Sequence, residues 1–225
     1  MNKLKELWDE LKIVFSGRGP SILDALIPLL VYIIVSRFID LNLTVLISVA
    51  AAGAIMFYRL IKKQSLAFAA GGAGSALFAA FFAYLSGSAS GYFLPGFISG
   101  GLTIAGCFLS VFIKRPLAAY SSMLTRRWPA KWYWHPQVLP AYREVTLFWG
   151  MLFGIPLAFE LFFFSQNEID ALGTVRLVMG WPYTVLVLIV SYLYGQKRLA
   201  KLAGPSVTEF KSDAQPPWSG QRKGF

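Results

Sequence analysis

The sequence predicts an all-α, polytopic integral membrane protein with six transmembrane helices and an N-terminal amphipathic helix. Its 225 residues are 56% hydrophobic and only 14% charged, whereas a soluble domain carries about a quarter charged residues. A helix needs about 20 apolar residues to cross the hydrocarbon core of a membrane. Six stretches approach that length, namely residues 22–38, 43–61, 66–85, 92–113, 145–164 and 175–194.

The ends of the chain differ from this central membrane domain, which we place at residues 20–195. Residues 1–19 begin MNKLKELWDELKIVF, in which Leu4, Leu7 and Leu11 recur at helical spacing. This pattern predicts an amphipathic helix on the membrane surface, and the alternative is a solvated helix packed on the protein's own loops. Residues 196–225 form a basic tail that we expect to be disordered.

The distribution of positive charge predicts the orientation of the spans. The net charge is +10, and with six spans nineteen of the 21 Lys and Arg residues fall on one side of the membrane. The other side keeps only Arg37 and Arg176. Because Lys and Arg are enriched in cytoplasmic loops, we expect both termini and the loop 114–144 to be cytoplasmic.

The long loop 114–144 interleaves basic and aromatic residues. Such residues favour the headgroup layer, where Lys and Arg attract anionic lipids. The same pattern suits single-stranded nucleic acid, but beside six spans we expect no nucleic-acid partner. A simple topology anchor is the plain alternative. The residues that we assign to the lipid interface are Arg126, Arg127, Trp128, Lys131, Trp132 and Trp134.

Recognisable catalytic motifs are missing from the sequence. It has no GxSxG, HExxH, Walker A or CxxC pattern, so we expect no enzyme, no cofactor and no metal site. His135 is the single histidine and Cys107 the single cysteine. We interpret Cys107 as a small buried apolar residue. The glycines of GGAGSALF (71–78) lie inside a span and suit close helix packing.

Two carboxylates lie in or near the spans. Asp24 follows Ser21 by three residues, which resembles a helix-capping pair. Glu160 stands in LFGIPLAFELFFF (152–164), roughly 6 Å inside the outer boundary at 1.5 Å per residue. A charge there is costly unless it is paired, and Arg176 opens the next span on the same side. We therefore expect Glu160 and Arg176 to pair. The pair is either a structural ion pair or part of a site for a proton, cation or polar substrate. A protonated, unpaired Glu160 is the third alternative.

Prolines near the centres of three spans predict helix breaks at the membrane midplane. These are Pro28, Pro156 and Pro182, with Gly180 adding to the break in MGWPY. Each proline removes a backbone hydrogen bond, and many transporters build their sites from discontinuous helices. The alternative is that neighbouring helices satisfy the freed carbonyls, as they commonly do in membranes.

Three segments carry a resemblance to a known family: GYFLPGF (91–97), HPQVLPAYREVTLFWGMLF (135–153) and ALGTVRLVMGWPY (171–183). Over about residues 16–195 the chain resembles an uncharacterised bacterial family of six-span membrane proteins, a domain of unknown function best known from actinobacteria. That family is distantly similar to the intracellular septation protein A type. The resemblance implies a helical bundle in the plasma membrane and no established activity.

The family pattern carries residues that match five positions of this chain and differ at two. The matches are Tyr92, Pro95, Arg176, Gly180 and Pro182. The family usually has Arg where this chain has Pro156 and Gln where it has Glu160, so Glu160 is a local feature of this sequence.

Two hypotheses about function follow from the sequence. The first is a transporter or channel-like protein for an ion or small solute, based on the prolines, Glu160 and Arg176. The alternative is a non-catalytic membrane scaffold or assembly factor of the cell envelope, based on the packing faces and the missing chemistry. In either case we expect lipid contact, with a homo-oligomer or another membrane protein as a further partner.

Overall fold

The computed structural model describes residues 22–61 and 66–225. All regular elements in these ranges are helical, which confirms the all-α prediction. The predicted N-terminal amphipathic helix, residues 1–19, lies outside the described residues. For residues 22–28 and 66–73, and for Arg59, only the backbone is described, so the capping role expected for Asp24 is not tested.

The helices follow the apolar runs of the sequence. The first five are α1 (Ile22–Val35), α2 (Leu41–Ile61), α3 (Leu66–Ser86), α4 (Leu94–Phe112) and α5 (Leu117–Arg126). A short 3₁₀-helix, Ala89–Phe93, precedes α4. The remaining helices are α6 (Ala130–Tyr133), α7 (Leu139–Ser165), α8 (Ile169–Val178), α9 (Trp181–Leu202) and α10 (Val207–Lys211).

Four stretches of the described chain are long and apolar enough to cross a membrane. They are Leu41–Tyr58, Ala89–Phe112, Leu139–Ser165 and Ile169–Leu202, with Gly74–Ser86 as a shorter apolar helix. The chain is thus an apolar helical protein suited to a membrane. The count of six spans stays a prediction, because α1 has only 14 residues and α3 is described in part.

The chain divides into two compact units. Of the described residues, the first contains those up to Phe97 together with Glu160–Leu177. In this unit α2 packs against both α1 and α3. The Tyr32 ring of α1 stacks on Tyr92 with centroids 4.0 Å apart, and its hydroxyl donates to the Ala89 carbonyl at 2.6 Å. These contacts fix the 3₁₀-helix against α1.

The second unit contains Ile98–Phe159 and Val178–Phe225. Its core lies where the loop 114–144 meets the beginning of α7 and the end of α9. Pro116 precedes α5, and Arg127 ends it in the left-handed conformation with φ 53°. Pro129 then precedes the single turn of α6. The buried residues of this core are Ala118, Ala119, Trp132, Tyr133, Val138, Ala141, Tyr142, Val145 and Leu199.

The tail 196–225 differs from the disordered segment that we expected. Helix α9 continues to Leu202, and α10 begins with a capping box in which Ser206 and Glu209 exchange hydrogen bonds. Phe225 stacks on Tyr142 with centroids 4.4 Å apart. The prolines, lysines and serines of the tail resemble a disordered composition, but its scattered aromatic residues supply enough apolar surface to pack.

Candidate functional site

The strongest polar feature of the first unit is an ion pair between Glu160 and Arg176. Glu160 lies near the end of α7 and Arg176 near the end of α8, and a short turn after Ser165 reverses the chain between them. Arg176 Nε donates to Glu160 Oε1 at 2.6 Å, and Nη2 donates to Oε2 at 2.8 Å. The structure therefore brings together the two residues that the sequence selected, in the bidentate geometry that gives the strongest carboxylate–guanidinium pairs.

Burial of this pair is unequal. The Glu160 side chain is 9% exposed and the Arg176 side chain 29%. A carboxylate so far from solvent needs a cation or hydrogen-bond donors to stay charged, and here both of its oxygens have a donor. Part of the Arg176 side chain is exposed. The Glu160 charge therefore depends more on the ion pair than the Arg176 charge does.

The end of the 3₁₀-helix and the first turn of α4 lie against the Arg176 side chain. The guanidinium carbon lies 5.7 Å from the centroid of the Phe93 ring. A Cβ atom on Gly96 would overlap Nη1 of Arg176, so the guanidinium would have to move from its present position to admit a larger residue there. No local pattern links Gly96 to Arg176, because the two residues are far apart in the chain.

At two of the predicted helix breaks the structure differs from the prediction. Helix α1 runs through Pro28, and α7 runs through Pro156. Pro156 has no N–H to donate to the Leu152 carbonyl, but the Tyr183 hydroxyl donates to that oxygen at 2.9 Å. A side chain from α9 thus replaces the missing backbone donor, which explains why α7 continues.

The third predicted break, at Gly180 and Pro182, coincides with an interruption of the chain's helical path. Helix α8 ends at Val178 and α9 starts at Trp181. Gly180 has φ −79° and ψ −112°, and Pro182 stands in the first turn of α9. Backbone N–H groups in the first turn of a helix have no intrahelical acceptor, so a proline, which has no N–H, loses no hydrogen bond there. Pro182 therefore fits the beginning of a new helix.

The basic and aromatic loop is placed differently from the lipid interface that we expected. Trp132 is fully buried, and its indole N–H donates to the Pro205 carbonyl at 2.7 Å. Trp128 packs edge-on against Trp132 at 5.2 Å, centroid to centroid. These rings belong to the core of the second unit, and the prediction of lipid contact at Trp132 was wrong because aromatic residues beside basic ones also suit a small folded core.

The basic residues of this loop remain at its surface. Arg127 and Lys131 are exposed. The guanidinium carbon of Arg126 lies 5.8 Å from the Trp128 ring centroid, and that of Arg115 lies 4.3 Å from the Trp134 centroid. Cation–π contacts at these distances hold an arginine over a ring while its charge stays near water. The loop is therefore a folded module with a positive surface.

A second bidentate ion pair was missed in the sequence. Arg198 Nε donates to Glu144 Oε2 at 2.8 Å and Nη2 donates to Oε1 at 2.8 Å, while the Tyr194 hydroxyl donates to Oε2 at 2.8 Å. Glu144 lies in the first turns of α7, just outside the apolar run that was marked as a span. The signal was available, since Arg198 and Tyr194 are one helical turn apart on α9.

Cys107 is buried, as expected of a small apolar residue. In the described part of the chain, no three His, Cys, Asp or Glu side chains form a group able to hold a metal ion.

Comparison with known proteins places the chain in a family. The family described as "Protein of unknown function (DUF3159)" matches residues 17–201. The chain belongs to this family, which confirms the expected membership of a family of unknown function. No curated protein and no solved structure matches the chain.

Proposed function

We propose that this protein is a non-catalytic, multi-pass scaffold or assembly factor of a bacterial plasma membrane, with both termini and the loop 114–144 in the cytoplasm. The observation that carries the proposal is the bidentate pairing of Glu160 with Arg176. Both of its carboxylate oxygens accept hydrogen bonds from Arg176, at 2.6 and 2.8 Å. Such a pair holds the end of α7 against α8, and an ion would have to compete with the Arg176 guanidinium for either carboxylate oxygen.

The other polar groups support the same proposal. A transport site needs polar atoms whose hydrogen bonds are free for the solute. Both carboxylate oxygens of Glu144 accept hydrogen bonds, from Arg198 and Tyr194. In the described part of the chain, every buried side-chain nitrogen and oxygen has a hydrogen-bond partner. This favours the scaffold over the transporter, the reverse of the order that the sequence alone suggested.

Transport of an ion or small solute is the second candidate function. It is favoured by one observation, the interruption between α8 and α9 at Gly180, because unwound segments in long apolar helices line many transport sites. On this alternative, Glu160 and Arg176 would separate to admit a solute. The scaffold requires that they stay together.

Solute flux separates the two functions. The full-length protein is reconstituted in liposomes and tested with protons, potassium, sodium and chloride. The scaffold predicts flux equal to that of empty liposomes. A saturable flux that Glu160→Gln abolishes, while the matched variant Glu144→Gln retains it, would establish transport instead.

The proposal includes partners at the cytoplasmic face. The positive surface of the loop 114–144 suits anionic lipids, and the exposed apolar faces of the spans suit a second copy or another membrane protein. Chemical crosslinking of the protein in native membranes, followed by gel electrophoresis, tests self-association. A ladder of multiples of 25.0 kDa is the expected result for a homo-oligomer, and a monomer band alone argues against it.

A further inference from the structure

An open apolar groove lies beside α5 in the second unit. Its volume is about 570 Å³, within the range of about 300–1,000 Å³ that small-molecule sites occupy. Leu124 is 84% exposed and Tyr120 is 48% exposed, so α5 turns an apolar face outward. The residues that line the groove are Leu117, Tyr120, Ser121, Met123, Leu124 and Trp149.

The walls of the groove are fixed in position. The backbone N–H of Ala118 donates to Thr146 Oγ1 of α7 at 3.1 Å, which anchors the start of α5 across α7. The indole N–H of Trp149 donates to Ser191 Oγ of α9 at 2.9 Å. These hydrogen bonds give the start of α5 and the Trp149 ring defined positions on the two sides of the open groove.

The groove lies at an end of the apolar helices. Helix α4 ends at Phe112, and α5 begins at Leu117. The turn between the two helices contains Lys114 and Arg115, and both of these basic residues are exposed. The groove therefore opens where an apolar helix gives way to a basic turn, which is the arrangement of a membrane boundary.

An aromatic chain of contacts connects the positive charge to the groove. The guanidinium carbon of Arg115 lies 4.3 Å from the Trp134 ring centroid, and the Trp134 ring lies 5.6 Å from the Tyr120 ring, centroid to centroid. Tyr120 is itself a wall of the groove. A molecule with an apolar chain and an anionic head could thus place its chain in the groove and its head beside Arg115 at the same time.

From this placement we infer that the groove binds one anionic phospholipid. Its acyl chain lies along Tyr120, Leu124 and Trp149. Its phosphate lies beside Lys114 and Arg115. The inference deepens the proposed scaffold function by naming its lipid partner, and it rests on the proposed membrane location of this loop. Charge complementarity selects the occupant, because a zwitterionic lipid carries its own cationic group and gains less from the two cations than an anionic lipid does.

Photolabelling of the full-length protein tests the site. The protein is reconstituted in phosphatidylcholine liposomes that contain a small fraction of phosphatidylglycerol with a photoreactive acyl chain, and labelled residues are located by mass spectrometry. Label on Leu117–Leu124 and Trp149, displaced by unlabelled phosphatidylglycerol and not by phosphatidylcholine, is the expected result. Label spread evenly over the apolar helices would overturn the inference.

Two variants and one matched control sharpen the test. Ser121→Trp fills the groove and should remove the label. Lys114→Gln with Arg115→Gln should lower labelling about 25-fold, since each surface cation favours anionic lipid about fivefold. Arg222→Gln with Lys223→Gln removes the same charge elsewhere in the unit and should change labelling little. Equal losses in the two double variants would show that only net charge matters and would refute the site.

Failure of this inference is distinguishable from failure of the proposed function. Flux is measured in the same liposomes. Absent labelling together with absent flux overturns only the lipid site, whereas solute flux overturns the scaffold whatever the labelling shows.

Discussion

The pair formed by Glu160 and Arg176 gives the sharpest quantitative prediction. Removing one partner from a buried ion pair costs about 3–5 kcal/mol, because the remaining charge is left uncompensated. Arg176→Gln leaves a carboxylate in a residue that is only 7% exposed. We expect a loss of about 3 kcal/mol, at the lower end of that range, because the site is partly open: 29% of the Arg176 side chain is exposed.

The opposite substitution should be milder. Glu160→Gln leaves a guanidinium that can turn toward its exposed side, and the glutamine oxygen still accepts one hydrogen bond. We expect a loss of about 1–2 kcal/mol for it and about 2 kcal/mol for the double variant, and therefore a coupling energy of about 2–3 kcal/mol. In a chain of this size, 1 kcal/mol corresponds to about 2–4 °C in melting temperature.

Thermal unfolding in detergent, followed by intrinsic tryptophan fluorescence, measures this cycle. The matched control is the pair of Arg37 and Asp170, whose side chains are 56% and 54% exposed at an Nη2–Oδ1 distance of 2.8 Å. Exposed pairs contribute about 0–1 kcal/mol, so its cycle should show little coupling. Additive losses at Glu160 and Arg176 would refute the reasoning, as would equal coupling in the two cycles.

Three further predictions concern single contacts. Gly96→Ala should lower the melting temperature by several degrees, at about 2–4 °C per kcal/mol, because the added Cβ displaces the Arg176 guanidinium. The control is Gly100→Ala, whose Cβ would meet Leu157 at an ordinary contact distance of 3.6 Å. This variant should change the melting temperature little. Tyr183→Phe should cost about 1 kcal/mol, measured by thermal unfolding, and much less in a Pro156→Ala background, where the backbone supplies the donor to Leu152. Hydrogen bonds from the Ser206 backbone N–H, and then from Ser219, lower the pKa of Glu209 from 4.5 to about 2. Because the pKa is lower in the folded state, these hydrogen bonds stabilise the tail fully above about pH 4.5. The stabilisation is lost as the pH falls toward 2. Limited proteolysis of the tail should therefore accelerate over that interval, and an acceleration that persists in Glu209→Gln would contradict this.

The sequence predicted the helices and one polar pair for simple physical reasons. An apolar run of membrane length has few alternatives to a helix. Apart from a closed barrel, only a helix pairs all of its backbone N–H and C=O groups with one another in lipid. Glu160 and Arg176 were identifiable because a charge in such a run needs a partner and the chain reverses between them.

Other features depended on contacts between distant residues. The aromatic residues of the loop 114–144 suit a lipid surface and a folded core equally well by composition, and only packing shows that Trp132 is buried. The continuity of α7 through Pro156 depends on a hydroxyl supplied by Tyr183, from the next long helix of the same unit. The fit of Gly96 against Arg176 likewise requires the fold.

Membrane topology tests the central claim most directly, because both proposals require the basic loop and the tail to share the cytoplasmic side. Single cysteines are introduced in a Cys107→Ala background at three positions outside the long apolar helices, Ser88, Gln166 and Lys131, and intact cells are treated with a membrane-impermeant maleimide. Labelling at Ser88 and Gln166 from outside, with Lys131 labelled only after the membrane is opened, is the predicted result. Labelling of Lys131 in intact cells would contradict the account.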